Sequence, residues 1–237
     1  MEMIVLKDVS FAYEKKNYIL KDFSIEFPSN KISVLLGPNG VGKTTLLKLV
    51  AGILRPLKGD IKILGRDPSS MRGKIGYVPQ ILSLYPWMRV RENIELPLKI
   101  GRKNISERDK KIEEISRRLG IKDLLNKYPK EVSGGEAQKI MLARVFVSDV
   151  EILLLDEPLS MIDIDSREEI IHFIREFSHE KKLTVLTVTH NIEDALSLGD
   201  FIYILNHRPL KLIDILEKDL YDKKDLTIKI RSLLKNY

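Results

Sequence analysis

A glycine-rich run near residue 40 constrains the fold of this chain more than any other feature of its sequence. Residues Gly37 to Thr44 read Gly-Pro-Asn-Gly-Val-Gly-Lys-Thr and fit the pattern G-x-x-x-x-G-K-[S/T] in full. The segment 31–36 before the run is short and β-rich, and the segment from Lys43 to about Ala51 is typical of a helix. The run therefore predicts a strand, a tight loop and a helix in direct succession.

The chemistry of this run, the phosphate loop (Gly37–Thr44), favours a bound polyphosphate. Glycines let backbone N–H groups turn inward around phosphate oxygens, and the N-terminus of the following helix adds partial positive charge. One exposed helix terminus contributes only about 0.3–1 kcal/mol, so several N–H groups and the Lys43 ammonium must supply the rest. The Thr44 hydroxyl can bind Mg²⁺. The alternative, a glycine-rich turn with a chance Lys-Thr, is disfavoured by the strand and helix on either side.

Two adjacent carboxylates follow the most apolar run of the chain. Residues 152–155 read Ile-Leu-Leu-Leu, which predicts a buried parallel strand, and Asp156 and Glu157 come directly after it. Ligands of open α/β sheets lie beyond the carboxyl ends of the strands. We therefore expect Asp156 to reach Mg²⁺, directly or through water, and Glu157 to orient or deprotonate an attacking water. The alternative is a strand that ends at a solvated Asp-Glu turn.

The composition limits the remaining possibilities. With 237 residues, 43% of them hydrophobic, the chain is too apolar for disorder and long enough to bury a core. The absence of cysteine excludes disulfides, thiolate metal sites and cysteine nucleophiles. No run approaches the ~18 apolar residues of a membrane span, and no secretory signal is evident, so we expect a soluble chain. The net charge of +6 is dispersed, which favours a solvated surface over a nucleic-acid-binding face.

The pattern along the chain predicts an α/β fold with a mostly parallel sheet. Segments 3–11 and 19–27 partly alternate apolar and polar residues, as antiparallel, half-exposed strands do. Further strands are predicted at 61–64, 152–155 and 183–189, with a helix at about 166–177. The dense charges of 107–119, with Ile112, Ile115 and Leu119 on one face, predict an amphipathic helix within a mostly helical insertion at about 85–150. The charged tail 214–237 is predicted to be helical.

A third motif adds a family resemblance. Val132-Ser133-Gly134-Gly135-Glu136, which precedes the Asp156 strand, resembles the signature of ABC-type ATPases, and the resemblance covers essentially the whole chain. Other matches are Tyr13 before the phosphate loop, Gln80 after a short strand, Ser160–Asp163 after Glu157, and Thr189-His190-Asn191. The chain departs from the usual signature at Val132, for Leu, and at Glu136, for Gln. A carboxylate at Glu136 would repel a nucleotide if it faced one.

The resemblance implies a single domain with defined parts. Residues 1–84 and 151–213 correspond to a P-loop NTPase core with an N-terminal antiparallel β subdomain. Residues 85–150 correspond to a helical subdomain that carries the signature motif, and 214–237 to a C-terminal helical tail.

The resemblance also assigns roles in binding ATP and Mg²⁺. It places Glu157, His190, Lys43 and Gln80 in catalysis and Thr44, Gln80 and Asp156 at the metal. Nucleotide-binding residues are Tyr13, Gly37, Pro38, Asn39, Gly40, Val41, Gly42, Lys43, Thr44, Thr45, Ser133, Gly134 and Gly135. Taken singly, Tyr13 could be a core aromatic of an edge strand, His190 could be structural, and Asp163 could simply cap a helix.

The partners are likewise implied by the resemblance. It predicts a head-to-tail homodimer in which Ser133, Gly134 and Gly135 of one subunit face the phosphate loop of the other, with ATP between them. It also predicts transmembrane permease subunits, an extracytoplasmic solute-binding protein and a peripheral position on the cytoplasmic face of the membrane. No nucleic-acid partner is expected.

The sequence indicates the type of system that the ATPase serves less closely than it indicates the family. Residues 84–94 and 206–209 resemble ATPases of the nitrate/sulfonate/taurine importer group, and Trp87 and Met88 could form a docking groove or a buried anchor. Alternatives are an exporter ATPase, a non-transport ABC ATPase acting on nucleic acid or ribosomes, and a nucleotide-binding protein without turnover. The sequence does not identify a solute.

Overall fold

Two sheets organise the protein in the computed structural model, which describes residues 2–14, 17–71 and 73–235. In chain order the strands are β1 (Glu2–Ala12), β2 (Tyr18–Pro28), β3 (Ile32–Leu36), β4 (Lys58–Ile63), β5 (Ile75–Val78), β6 (Ile152–Asp156), β7 (Thr184–Thr189), β8 (Phe201–Asn206) and β9 (Lys211–Glu217). The helices are α1 (Lys43–Val50), α2 (Val90–Ile100), α3 (Ile105–Arg118), α4 (Gly134–Phe146), α5 (Ile164–Glu180), α6 (Ile192–Leu198) and α7 (Lys223–Lys235). The predicted α/β class is confirmed.

The N-terminal sheet has the strand order β2-β1-β4 and is antiparallel. Alternate residues of β2 point inward, and Phe23, Ile25 and Phe27 are buried in the core beneath it. This alternation is what predicted the two early strands. Strand β4 begins at Lys58, three residues before the predicted start, because its pairing with β1 extends to Ser10.

The larger sheet has the order β5-β6-β7-β3-β8-β9 and is parallel except for the final pair. Strands β3, β6 and β7 are buried at every position, as expected for central strands covered on both faces. Since parallel strands end at the same edge, the segments after β3, β6 and β7 lie side by side. This edge receives the phosphate loop, the Asp156-Glu157 pair and His190.

Helices fill the chain between β5 and β6. In α3, Ile112 and Ile115 are buried together with Leu119, which caps the helix, so the predicted apolar face is confirmed. Helix α2 packs against both α3 and α4. Among the described residues, no helix combines the length and the apolar character needed to cross a membrane.

The prediction of a helical tail over 214–237 is wrong in its first part. Residues 214–217 belong to β9, which pairs antiparallel with β8, and α7 begins only at Lys223. The segment alternates side chains between faces, with Leu216 buried between exposed Ile215 and Glu217, and this two-residue period favours a strand. Residues 236–237, the end of the predicted tail, lie outside the described residues.

Candidate functional site

The phosphate loop joins β3 to α1 as predicted, and its glycines are required by close contacts. A Cβ atom on Gly37 would lie 2.1 Å from the carbonyl oxygen of Leu205. Gly42 has a φ of +117°, and a Cβ there would lie 2.5 Å from Cγ2 of Ile19. A larger residue at either position would displace the loop from β8 or β2.

Lys43 is buried within the curve of this loop. Its Nζ donates hydrogen bonds to the carbonyl oxygens of Gly37 and Pro38, both at 2.7 Å. Burial lowers the pKa of Lys43 from its ordinary value, and the carboxylates of Glu157 and Asp156 partly oppose that shift. The ammonium is therefore held at the centre of the loop, where a phosphate would be bound.

Asp156 is buried at the end of β6 and is bound by two hydroxyl groups. Thr44 Oγ1 donates to its Oδ1 at 2.9 Å, and the Tyr77 hydroxyl donates to its Oδ2 at 3.2 Å. Burial raises the pKa of Asp156, the two hydrogen bonds oppose this, and nearby Glu157 adds to the rise. Burial, together with the charge of Asp156, also raises the pKa of Tyr77.

Glu157 is held by three interactions next to Asp156. Gln80 Nε2 donates to its Oε2 at 3.0 Å, and His190 Nδ1 pairs with its Oε1 at 3.1 Å. The backbone N–H of Glu157 donates to the Val188 carbonyl oxygen at 3.1 Å. Its φ of +50° lies in the left-handed region, a strained conformation for a non-glycine residue that is common at functional sites.

An open cleft of about 390 Å³ collects most of the predicted residues. Its lining includes Asn39–Gly40 and Gly42–Thr45 of the loop and helix, Tyr13, Gln80 and Glu157. A smaller adjoining cavity of about 120 Å³ contains Glu157 and His190. In the described part of the chain, the cleft lining does not include Gly37, Pro38 or Val41, which shape the loop from outside it. Asp156 is also outside the lining and is connected to it through the hydrogen bond from Thr44.

Tyr13 lies at the edge of this cleft. Its ring is 59% exposed, so it is not a core aromatic, and it packs edge-on against Phe11 with ring centroids 5.0 Å apart. The Tyr13 hydroxyl is 3.2 Å from Thr45 Oγ1. An exposed aromatic ring at this edge can stack on a base, an interaction that contributes about 1–3 kcal/mol per base.

The signature motif lies on a different part of the surface. Ser133 caps α4 by accepting from the Glu136 backbone N–H at 3.2 Å, and Glu136 Oε2 accepts from the Ser133 N–H at 2.6 Å. Ser133 and Gly134 are exposed, and across the described ranges neither they nor Gly135 line the cleft. The Glu136 carboxylate is turned back onto its own helix, and the hydrogen bond from the Ser133 backbone lowers its pKa.

Asp163 also caps a helix, which is the simpler of the two roles considered for it. Its Oδ1 accepts from the Ser166 N–H at 2.9 Å at the start of α5. The loop before it contacts the signature helix, since a Cβ on Gly135 would lie 3.3 Å from the Met161 carbonyl oxygen. The segment after Glu157 is thereby connected to the signature helix.

The donor set suits Mg²⁺. Thr44, Asp156 and Gln80 offer hydroxyl, carboxylate and amide oxygens, which are hard ligands of the kind this ion takes. In residues 2–14, 17–71 and 73–235, no group of three His, Asp or Glu side chains could hold a metal by itself. Mg²⁺ usually keeps several waters and binds through one or two carboxylates plus substrate phosphates, so this smaller set fits it.

The sequence analysis missed three residues of this region. Tyr77 lies three residues before Gln80 in β5, and its contact with Asp156 depends on the pairing of β5 with β6. Arg167 donates to the Leu159 carbonyl oxygen and to Asp194 Oδ1, both at 3.2 Å, and so connects the segments that follow Glu157 and His190. Arg208 lines the cleft from the turn between β8 and β9. No local sequence signal marks these contacts.

Comparison with known proteins gives a consistent result. A family model described as ABC transporter matches residues 20–160. A molybdate/tungstate import ATP-binding protein, WtpC of Pyrococcus abyssi, is 37% identical over 204 residues, which is 85% of this chain. The chain spans only 59% of the length of that relative.

Solved structures agree with this match. The dimeric structure of MJ0796, a bacterial ABC transporter cassette, superposes with a TM-score of 0.81 at 28% identity, covering 91% of this chain and 99% of that one. A post-hydrolysis dimer of the same cassette, bound to ADP and Pi, superposes with a TM-score of 0.80 at 26% identity and the same coverage.

Proposed function

Because the chain belongs to the ABC transporter family, we propose that it is the ATP-binding and ATP-hydrolysing subunit that energises a membrane transporter. One observation carries the proposal: Lys43, Thr44 and Glu157 line one cleft, Thr44 donates to Asp156 beside it, and Glu157 is oriented by Gln80 and His190. A chain that only bound nucleotide would not need Glu157 held in a strained conformation between two polar partners.

Nucleotide binding uses the loop and the aromatic at its edge. Tyr13 stacks on the adenine, while the N–H groups of the phosphate loop and the start of α1 surround the phosphate oxygens. Lys43 adds an ammonium held in place by two carbonyl oxygens. Thr44, Asp156 and Gln80 would hold Mg²⁺, and the ion would neutralise charge on the phosphates.

Hydrolysis depends on Glu157. Its carboxylate orients the attacking water and takes a proton from it, while the water oxygen bonds to the γ-phosphorus and the bond to the bridging oxygen of ADP breaks. Gln80 and His190 each bind one carboxylate oxygen, so the side chain is oriented before ATP arrives. The imidazole of His190, and Lys43, stabilise the charge on the transferred phosphoryl group.

The second half of the site comes from another copy of the chain. Ser133, Gly134 and Gly135 begin α4 on an exposed surface, and the free N–H groups of a helix start suit a γ-phosphate. Since these residues lie outside the cleft of their own chain, a head-to-tail dimer brings them to the ATP of the partner. ATP then joins the two subunits, and its hydrolysis separates them.

The transporter is an importer whose permease docks near Trp87. The ring of Trp87 is 70% exposed and packs against Tyr85 at 5.5 Å between centroids, so it is not a buried anchor. Ile81 and Ile100 are also exposed, and Ile100 lines a groove together with Tyr85. The import function of the WtpC relative favours uptake. The chain is bound at the cytoplasmic face of the membrane, and a solute-binding protein acts on the other side.

ATP hydrolysis by the purified chain tests this function. Glu157→Gln should retain ATP binding and lower kcat at least about 100-fold, because general base catalysis typically contributes 10²–10⁴-fold. Glu169→Gln, which removes an exposed carboxylate from α5, serves as the control and should hydrolyse ATP at the parent rate. A Glu157→Gln variant with the parent kcat would refute the assignment.

A further inference from the structure

The end of β8 and the turn that follows it pack against the two ends of the phosphate loop. At one end, the Leu205 carbonyl oxygen occupies the space beside Gly37. At the other end, Gly42 lies against Ile19 and Leu210, and the Leu210 N–H donates to the Ile19 carbonyl oxygen at 2.8 Å. The tip of this turn is therefore fixed relative to the loop.

Arg208 stands at that tip and lines the cleft. Its side chain is exposed, and it is a lining residue together with Gly40 and Lys43. Among the described residues Arg208 has no hydrogen bond or ion pair, in contrast to Arg167 and Arg175, whose guanidinium groups donate to carbonyl and carboxylate oxygens. An arginine with a fixed backbone and no protein partner can bind a ligand with its full set of donors.

The charges of the cleft favour an anion at Arg208. Lys43 already donates to two carbonyl oxygens, and Glu157 and Asp156 contribute negative charge to the same region. In the part of the chain that the structure describes, Lys43 and Arg208 are the cations of the cleft lining. Arg208 therefore offers a triphosphate a protein cation in addition to Lys43, and a guanidinium can donate two parallel hydrogen bonds to phosphate oxygens.

We propose that Arg208 is a nucleotide-binding residue that pairs with phosphate oxygens of ATP from the β8–β9 turn. The proposal rests on the ATP-binding function proposed above and adds a contact outside the phosphate loop and the signature. It assigns the polyphosphate, and not the base or ribose, as the group that Arg208 recognises.

Binding measurements on the purified chain at low salt test this contact. Arg208→Ala should raise the Kd for ATP about five- to tenfold, the range expected for losing a charge-assisted hydrogen bond at an exposed site. The affinity for inorganic tripolyphosphate, measured by displacement of a fluorescent ATP analogue, should fall by the same factor. High salt should shrink both effects because exposed charges are screened. Arg208→Lys keeps the charge but lacks the planar guanidinium, so its Kd for ATP should lie between those of the parent and Arg208→Ala.

Two further variants separate the possible failures. Lys211→Ala removes a cation from the same hairpin outside the cleft lining and should leave both affinities within twofold of the parent. An equal loss in Lys211→Ala, or a loss for ATP without one for tripolyphosphate, would overturn the phosphate contact. An unchanged Arg208→Ala beside a weakened Lys43→Ala would refute Arg208 alone, while a parent chain that binds no ATP would refute the proposed function as well. Circular dichroism checks that each variant is folded.

Discussion

At the scale of single residues, Lys43 is the cation on which nucleotide binding depends most. Lys43→Ala removes a buried ammonium and leaves the carbonyl oxygens of Gly37 and Pro38 without their donor. Its loss should weaken ATP binding about 10- to 100-fold, since hydrogen bonds to charged groups contribute about 1.5–3 kcal/mol. Isothermal titration with ATP measures this, and Lys31→Ala, an exposed lysine just before β3, is the control. Equal affinities in the two variants would contradict the role of the loop.

Some residues of the site can be predicted from a short local motif, and others cannot. Lys43, Thr44, Asp156 and Glu157 are predictable because each stands in a short motif whose spacing the chemistry requires. Tyr77 and Arg208 are not predictable, because their positions depend on the pairing of β5 with β6 and on the packing of the β8–β9 turn against the loop. The orientation of Glu136 follows from the hydrogen bond that its carboxylate accepts from the Ser133 N–H, a local capping interaction.

At the scale of elements, one side chain fixes the segment that leads into α2. Asn93 is fully buried; its Nδ2 donates to the carbonyl oxygens of Tyr85, Met88 and Arg89, and its Oδ1 accepts from the Tyr85 N–H. These bonds hold the turn that presents Trp87. Asn93 therefore connects the buried face of α2 to the exposed apolar surface proposed for docking.

Asn93→Ala should destabilise the protein and loosen this turn. Leaving buried backbone groups unpaired costs about 1–3 kcal/mol, so the free energy of unfolding should fall by that amount in urea titrations. Trp87 is the single tryptophan, so its fluorescence should also shift in the folded state. Asn104→Ala removes only the exposed cap of α3 and should cost about 1 kcal/mol with no change in the Trp87 spectrum. A Trp87 spectrum unchanged in Asn93→Ala would contradict the account.

The elements themselves are predictable where a periodic pattern is strong. The sequence predicts the face of α3 and the apolar run of β6, whereas it does not predict β8, and it places residues 214–217 of β9 in a helical tail. Strand β9 lies at the edge of the sheet, and its identity depends on pairing with β8 across a four-residue turn. The density of charged residues in the tail predicts a helix, and for residues 214–217, which form part of a strand, that prediction is wrong.

At the scale of the whole molecule, the complete ATP site requires two copies of the chain. The cleft contains the phosphate loop and Glu157, while Ser133 and Gly134 are exposed elsewhere on the surface. Gly134 offers a selective probe of this arrangement, because a Cβ there would meet only Met161 Sδ, at an ordinary contact distance of 3.9 Å. Gly134→Arg should therefore fold normally and obstruct only a partner that approaches α4.

Sedimentation velocity of the Glu157→Gln variant with saturating ATP tests the central claim most directly. The account predicts a species of twice the mass of the chain with ATP and Mg²⁺, a monomer without nucleotide, and a monomer that still binds ATP when Gly134→Arg is added. A Glu157→Gln chain that stays monomeric at saturating ATP, or a dimer that Gly134→Arg leaves intact, would contradict it.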